Sequence, residues 1–230
     1  MANRTGEYFV TEGTDATGKT TVANLLAEMA FNEGREVIRL DEPDSPYRYI
    51  PNSENPQPLA PIASEIRSII KDGTLARTAL TNIHLFTASR AESWETVVAP
   101  ALERGAYVIA ARNYLSTVAY QGYAEGMEPS KIISITQNSL GEDYMHPDHL
   151  TILDLSDESE RARRIAQRGV LDKPDTFESR DAAFQQRLID GYRAIAAEYA
   201  IALTSAAGDK HAIAEEIWDR AQQTIAQRNS

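Results

Sequence analysis

Three sets of residues have the types and spacing to do chemistry. The first is Gly13, Thr14, Asp15, Ala16, Thr17, Gly18, Lys19 and Thr20, which satisfy the spacing G-x-x-x-x-G-K-[ST] of a phosphate-cradling loop, or P-loop. Glycines at such positions let the backbone curl until successive N–H groups and a helix N-terminus face an anion. Lys19 would neutralise phosphate charge, Thr20 would offer a hydroxyl to Mg²⁺, and Thr21 extends the set into the first helical turn. The second set is Phe86 and Arg90, four residues apart and therefore on one helix face. A ring there could stack on a base while the guanidinium donates to a base oxygen, although a core phenylalanine beside a solvated arginine would show the same spacing. The third is Arg112, at the expected carboxyl end of a strand, followed by Thr117, Tyr120 and Gln121 on the next helix. Strand carboxyl ends are where α/β proteins bind ligands, and this grouping suits a phosphate and a sugar.

The elements that must position these residues alternate between strand and helix. Glu7–Glu12 is apolar, aromatic and β-branched enough to be a buried strand, and Val22, Leu25, Leu26 and Met29 recur at helical spacing after the loop. Gly34 caps that helix, and 36–40 reads as a second strand running into Asp41, Glu42 and Pro43. Segment 44–61 carries Pro46, Pro51, Pro56, Pro58 and Pro61 and reads as a long surface loop. A short helix through Ile62–Ile70 and a long one over about 78–104 precede a strand at 107–111. A helix over 115–123, another around Ile132–Ile135, and a strand at 150–155 follow. Asp157 is placed to cap a basic helix, Phe184–Tyr199 stripe a further one, 201–204 makes a fifth strand, and Ile213, Ile217 and Ile225 line the last helix. Such alternation implies one α/β domain over 1–230 with a parallel sheet.

Composition narrows the possible partners. A length of 230 residues suits one substantial core, and a net charge of −11 argues against nucleic-acid or anionic-membrane binding. The absence of Cys removes disulfides, thiolate catalysis and thiolate metal sites. With no apolar leader near Met1 and no run approaching the roughly 18 apolar residues of a membrane span, a soluble, cytoplasmic protein is expected.

With these residues in place, the chain resembles the thymidylate kinases. The resemblance is carried by Phe9-Val10-Thr11-Glu12-Gly13-Thr14-Asp15, by Glu42-Pro43, and by Leu85-Phe86-Thr87-Ala88-Ser89-Arg90-Ala91-Glu92. It continues in Pro100–Gly105, in Arg112 with Leu115-Ser116-Thr117-Val118-Ala119-Tyr120-Gln121-Gly122, and in Leu153-Asp154-Leu155. It implies a three-layer P-loop nucleoside monophosphate kinase fold with a five-stranded parallel sheet and a short LID near 164–180. The implied reaction is phosphoryl transfer from ATP to dTMP, giving ADP and dTDP for dTTP synthesis, with Mg²⁺ and as a homodimer. By the same resemblance Phe86 stacks on thymine, Arg90 and Thr117 contact its polar edge, Arg112 holds the dTMP phosphate, Tyr120 lies beneath the sugar, and Asp15 approaches the 3′-hydroxyl. Glu42, Pro43, Ser116 and Gln121 complete the implied acceptor site, and the acceptor-side residues fall mainly within 78–123. Because the loop carries Ala16 and Thr17 and no arginine, Arg164, Arg168 and Lys173 of the LID are the candidate transition-state cations, with Arg180 behind them.

The chain departs from the family pattern at three places. Ala111 stands where an aspartate usually precedes the strand-end arginine, Asp41 where an arginine usually precedes Glu-Pro, and segment 44–61 is long. Glu12, Asp154 and Glu178 are the carboxylates considered as replacements acting through metal-bound water. Two other functions stay in view: a deoxynucleoside kinase using Glu42 as base, and a weakly catalytic nucleotide-binding paralogue, suggested by Ala111.

Overall fold

The structure, a computed structural model, describes residues 5–155, 157–167 and 180–229. Its centre is one sheet formed by β1 (Glu7–Gly13), β2 (Val37–Asp41), β3 (Tyr47–Arg48), β4 (Tyr107–Ala111), β5 (His149–Asp154) and β6 (Ala202–Ser205). The strand order is β3-β2-β4-β1-β5-β6, and every pairing is parallel except β2 with β3. Every residue of β1 and β4 is buried, as befits central strands covered on both faces.

Helices form the outer layers. On one face α1 (Lys19–Asn32) and α10 (Lys210–Asn229) pack Leu26 and Trp218 against Phe9, Val37, Tyr107, Ile109 and Leu153. The opposite face presents Tyr8, Val10, Ile38, Leu40, Val108, Ala110 and Ile152. It is covered by α2 (Pro61–Lys71), α3 (Ala79–Ser93), α4 (Ala99–Glu103), α5 (Tyr114–Thr117), α6 (Pro129–Leu140), α7 (Glu142–Met145) and α9 (Ala182–Glu198). The remaining helix, α8 (Glu158–Gln167), is capped by the Asp157 carboxylate, which accepts from Ser159 N at 2.9 Å and Glu160 N at 3.1 Å. Among the described residues no helix is long and apolar enough to cross a membrane.

One expectation needs correction, and another is borne out with an added detail. The sheet has six strands and not five: the extra one, β3, is a two-residue antiparallel edge inside the Pro-rich segment, with Ile38 opposite Arg48 and Arg39 opposite Tyr47. So short a strand leaves no alternating pattern to read. The helix over 78–104 is continuous in space but passes through a π-helical segment, Trp94–Val98, before α4. Pro100 follows it and has no N–H to donate, so the regular ladder is already interrupted there. A second π-helical segment, Val118–Ala124, extends α5 through Tyr120 and Gln121.

Candidate active site

β1 ends in Gly13, and the loop that follows turns the chain back into α1. Gly13 has φ 139, and a Cβ there would stand 2.4 Å from the Leu153 carbonyl oxygen, so no other residue fits. Gly18, at φ 92, caps α1 without a side chain, which leaves the first-turn N–H groups facing the loop. Ala16 also lies in the left-handed region, at φ 68, a conformation that costs an alanine about 1–2 kcal/mol. Lys19 is buried and its Nζ donates to the Thr14 carbonyl at 2.6 Å, while the Thr17 hydroxyl donates to the same oxygen at 2.8 Å. Thr20 and Thr21 are exposed, and Thr20 Oγ1 donates to Asp41 Oδ1 at 3.4 Å.

Arg112 leaves the end of β4 with φ 72, which turns its side chain toward the loop. Nη2 donates to Asp15 Oδ1 at 2.5 Å, Nη1 donates to Ser116 Oγ at 3.2 Å, and the guanidinium carbon lies 5.6 Å from the Tyr120 ring centre. The Tyr120 hydroxyl donates to Asp15 Oδ2 at 2.7 Å. Loop, strand end and helix thus meet in one cluster. Burial disfavours the charged form of Asp15, but Arg112, Lys19 and the Tyr120 hydrogen bond outweigh it and hold the carboxyl well below its ordinary range.

The second set joins a neighbouring network. Arg90 is buried, with Nε donating to Glu42 Oε2 at 2.8 Å, Nη1 to Thr117 Oγ1 at 2.8 Å and Nη2 to the Asn113 carbonyl at 2.9 Å. Phe86 is only half-buried, its ring centre 5.7 Å from the Arg90 guanidinium carbon. The alternative of a core phenylalanine beside a solvated arginine is therefore inverted: the arginine is inside and the ring partly open. Glu42 also accepts from Tyr144 Oη at 2.8 Å and Tyr8 Oη at 3.4 Å; burial raises its carboxyl above the ordinary value, with Arg90 and Tyr144 opposing. The Pro43 carbonyl accepts the Ser89 hydroxyl at 2.7 Å, and Gln121 is buried with Nε2 3.4 Å from Glu125. Asn113 Nδ2 is buried with no partner among the described residues.

The three carboxylates considered as replacements fare differently. Glu12 is fully buried and accepts from Asn113 N at 2.6 Å, Ser116 N at 3.1 Å and Tyr192 Oη at 2.9 Å, so it serves the fold of the strand-to-helix turn. Asp154 pairs with Arg193 at 3.2 Å, and Glu178 lies outside the described residues. Of the two described LID cations, Arg164 is the one near the loop: Nε donates to Glu160 at 2.7 Å, Nη2 to the Ala206 carbonyl at 3.0 Å and Nη1 to the Ala16 carbonyl at 3.5 Å. Arg168 and Lys173 lie outside the described residues. Arg180 turns elsewhere, 4.6 Å over the Phe184 ring and 3.6 Å from Glu125. Sequence reasoning passed over Arg39, whose side chain is completely buried beside Asp41; the available signal was that 37, 39 and 41 share one face of β2.

Known proteins resemble this chain along most of its length. The family model for thymidylate kinase matches residues 11–217. The thymidylate kinase of Exiguobacterium sibiricum is 34% identical over 195 residues, 84% of this chain and 82% of that one. That of Chlorobaculum parvum is 32% identical over 189 residues, 80% of each. The crystal structure of thymidylate kinase from Ehrlichia chaffeensis superposes with a TM-score of 0.65 at 21% identity, covering 96% of this chain and 98% of that one, a likeness of fold. By the extent of the family match and the identity to these relatives, the chain belongs to the thymidylate kinase family.

Proposed function

We propose that the protein transfers the terminal phosphoryl group of ATP to dTMP, giving ADP and dTDP, as one domain. The observation that carries this reading is the half-open Phe86 ring beside a buried Arg90 that is fixed on Thr117, next to an Arg112–Asp15–Tyr120 cluster that reaches the P-loop. The thymine would stack on Phe86, with Thr117 and the remaining Arg90 N–H groups at its polar edge. Arg112 would take the dTMP phosphate, Tyr120 would lie beneath the sugar, and Asp15 would face the 3′-hydroxyl. Glu42, Pro43, Ser116 and Gln121 would frame these groups.

A phosphate oxygen of dTMP is already a nucleophile at neutral pH, so positioning and charge neutralisation supply most of the catalysis. Lys19 would exchange the Thr14 carbonyl for a phosphate oxygen. Arg164, already 3.5 Å from the Ala16 carbonyl, would help neutralise the negative charge on the transferred group, joined by Arg168 and Lys173. Stretch 164–180 would cover the site and exclude water that could otherwise accept the group. A Mg²⁺ ion suits the donors present: Thr20 exposes a hard oxygen at the helix start, and among the described residues no three of His, Cys, Asp and Glu converge. That is the environment of an ion that keeps water and substrate oxygens as ligands. Thr20 would hold it, and when bound it neutralises charge on the phosphoryl oxygens. Glu42, engaged by Arg90, Tyr144 and Tyr8, is not free to deprotonate a 5′-hydroxyl, which counts against a deoxynucleoside kinase. A homodimer acting in the cytoplasm belongs to the same proposal and rests on the family.

An ADP-release assay with dTMP, dUMP, dGMP and thymidine as acceptors tests the reading. Turnover is expected to be fastest with dTMP. Preference for thymidine would overturn it in favour of a nucleoside kinase, and dTMP binding without turnover would favour a binding protein.

A further inference from the structure

The last residues of β2 and β4, Asp41 and Ala111, are register partners. Paired residues on parallel strands point to the same face, and Ala111 packs in the cluster that contains α1. The carboxylate of Asp41 therefore stands on the α1 side, one strand beyond Ala111 and level with it. The first turn of α1 passes over this edge, and Thr20 Oγ1 donates to Asp41 Oδ1 at 3.4 Å.

The carboxylate is held in place from below. Arg39 is completely buried; its Nη2 donates to Asp41 Oδ1 at 2.9 Å, its Nε to Asn24 Oδ1 at 2.9 Å, and its Nη1 to the Ile109 carbonyl at 3.2 Å and to the Leu40 carbonyl. A guanidinium clamped by a side-chain amide and two backbone carbonyls has no other orientation open to it, and so it aims the Asp41 carboxylate. Yet 43% of the Asp41 side chain is exposed, open to water at the mouth of the P-loop. Among the described residues at this end of the sheet, Glu12, held by Asn113, Ser116 and Tyr192, Asp15, held by Arg112 and Tyr120, and Asp154, paired with Arg193, are each less exposed than Asp41.

Arg39 and Thr20 both contact Oδ1, and the exposed remainder of the carboxylate, beside a loop that receives a polyphosphate, offers a place for a second cation between it and the ligand. We infer that Asp41 is the carboxylate that orders Mg²⁺ and its water on the Thr20 side of the bound nucleotide, with Arg39 as its positioning residue. The carboxylate expected at 111 is thus supplied from the neighbouring strand. This rests on the phosphotransfer reading above.

The test is calorimetric binding of a non-hydrolysable ATP analogue to the full chain, with Mg²⁺ and with EDTA, for the native protein and Asp41→Asn. Asparagine keeps an oxygen for Arg39 and Thr20 and removes only the charge, and dTMP binding reports that the variant is folded. The Mg²⁺-dependent gain in analogue affinity is expected to fall about 10- to 100-fold in the variant, the range for groups that orient a metal's ligands, while metal-free affinity stays level or rises. An unchanged Mg²⁺-dependent gain, or equal loss with and without metal, overturns the assignment of Asp41. Absence of any Mg²⁺ effect in the native protein overturns the phosphotransfer reading itself, so the two failures are distinguishable.

Discussion

The two sides of the site are built from different materials. On the donor side the shape is set by backbone: Gly13 fits only because it lacks a Cβ, Gly18 and Ala16 have left-handed dihedrals, and Lys19 and Thr17 both rest on the Thr14 carbonyl. On the acceptor side it is set by buried side chains, with Arg90 joined at once to Glu42, Thr117 and the Asn113 carbonyl, and Glu42 joined to Tyr144 and Tyr8. The Lys19 charge, held on the Thr14 carbonyl and 3.8 Å from Asp15, can turn to a ligand while Asp15 keeps Arg112 and Tyr120. A charge locked in a buried network cannot, so the acceptor side couples recognition to folding.

Substitutions on the two sides should therefore fail in different ways. Lys19→Met keeps the length and packing of the side chain but leaves the transferred phosphate uncompensated. Turnover is expected to drop beyond about 10³-fold, at the upper end of what one electrostatic group supplies, with the denaturant midpoint little moved. Kinetics and unfolding measured on the same preparation check it; unfolding in step with the loss of rate would erase the contrast. Arg90→Leu should do the opposite first. Removing one partner of a buried ion pair leaves Glu42 uncompensated, and a loss of about 3–5 kcal/mol in unfolding free energy is expected. Replacing Glu42 by Leu as well should recover part of it, because then no charge is buried alone. A stability change under about 1 kcal/mol for Arg90→Leu would mean that the network tolerates being opened.

The difference between the two sides also explains what could be read from sequence. The P-loop was legible because its demands are local: glycines at fixed offsets, one Lys and one Thr, between an apolar strand and a periodic helix. The Asp157 cap and the strand-end place of Arg112 were legible for the same reason. The acceptor network was half legible. Spacing put Phe86 and Arg90 on one face, but which of them is buried depends on Glu42 arriving from β2 and Thr117 from beyond β4, contacts 48 and 27 residues away. Asp41 was noticed as a departure and not as a neighbour of Thr20, since that contact exists only because α1 crosses over β2. The strand β3 was missed because two residues among prolines show no period.

Phe86 offers the finest discrimination between the two sides, because it belongs to the acceptor side without sharing its burial. Its ring is half exposed and touches the network through the Arg90 guanidinium at 5.7 Å. If the ring serves the base, Phe86→Ala should weaken dTMP binding by about 1–3 kcal/mol, the range for losing a stacking partner. Metal-bound ATP-analogue affinity should be unchanged, and the unfolding free energy should fall by less than for Arg90→Leu. Calorimetry with each nucleotide separates these terms. A dTMP dissociation constant that stays put while stability falls by about 3–5 kcal/mol would return Phe86 to the core, as for other large-to-small changes of a buried aromatic. Recognition and folding would then be as tightly joined at the ring as at the arginine behind it.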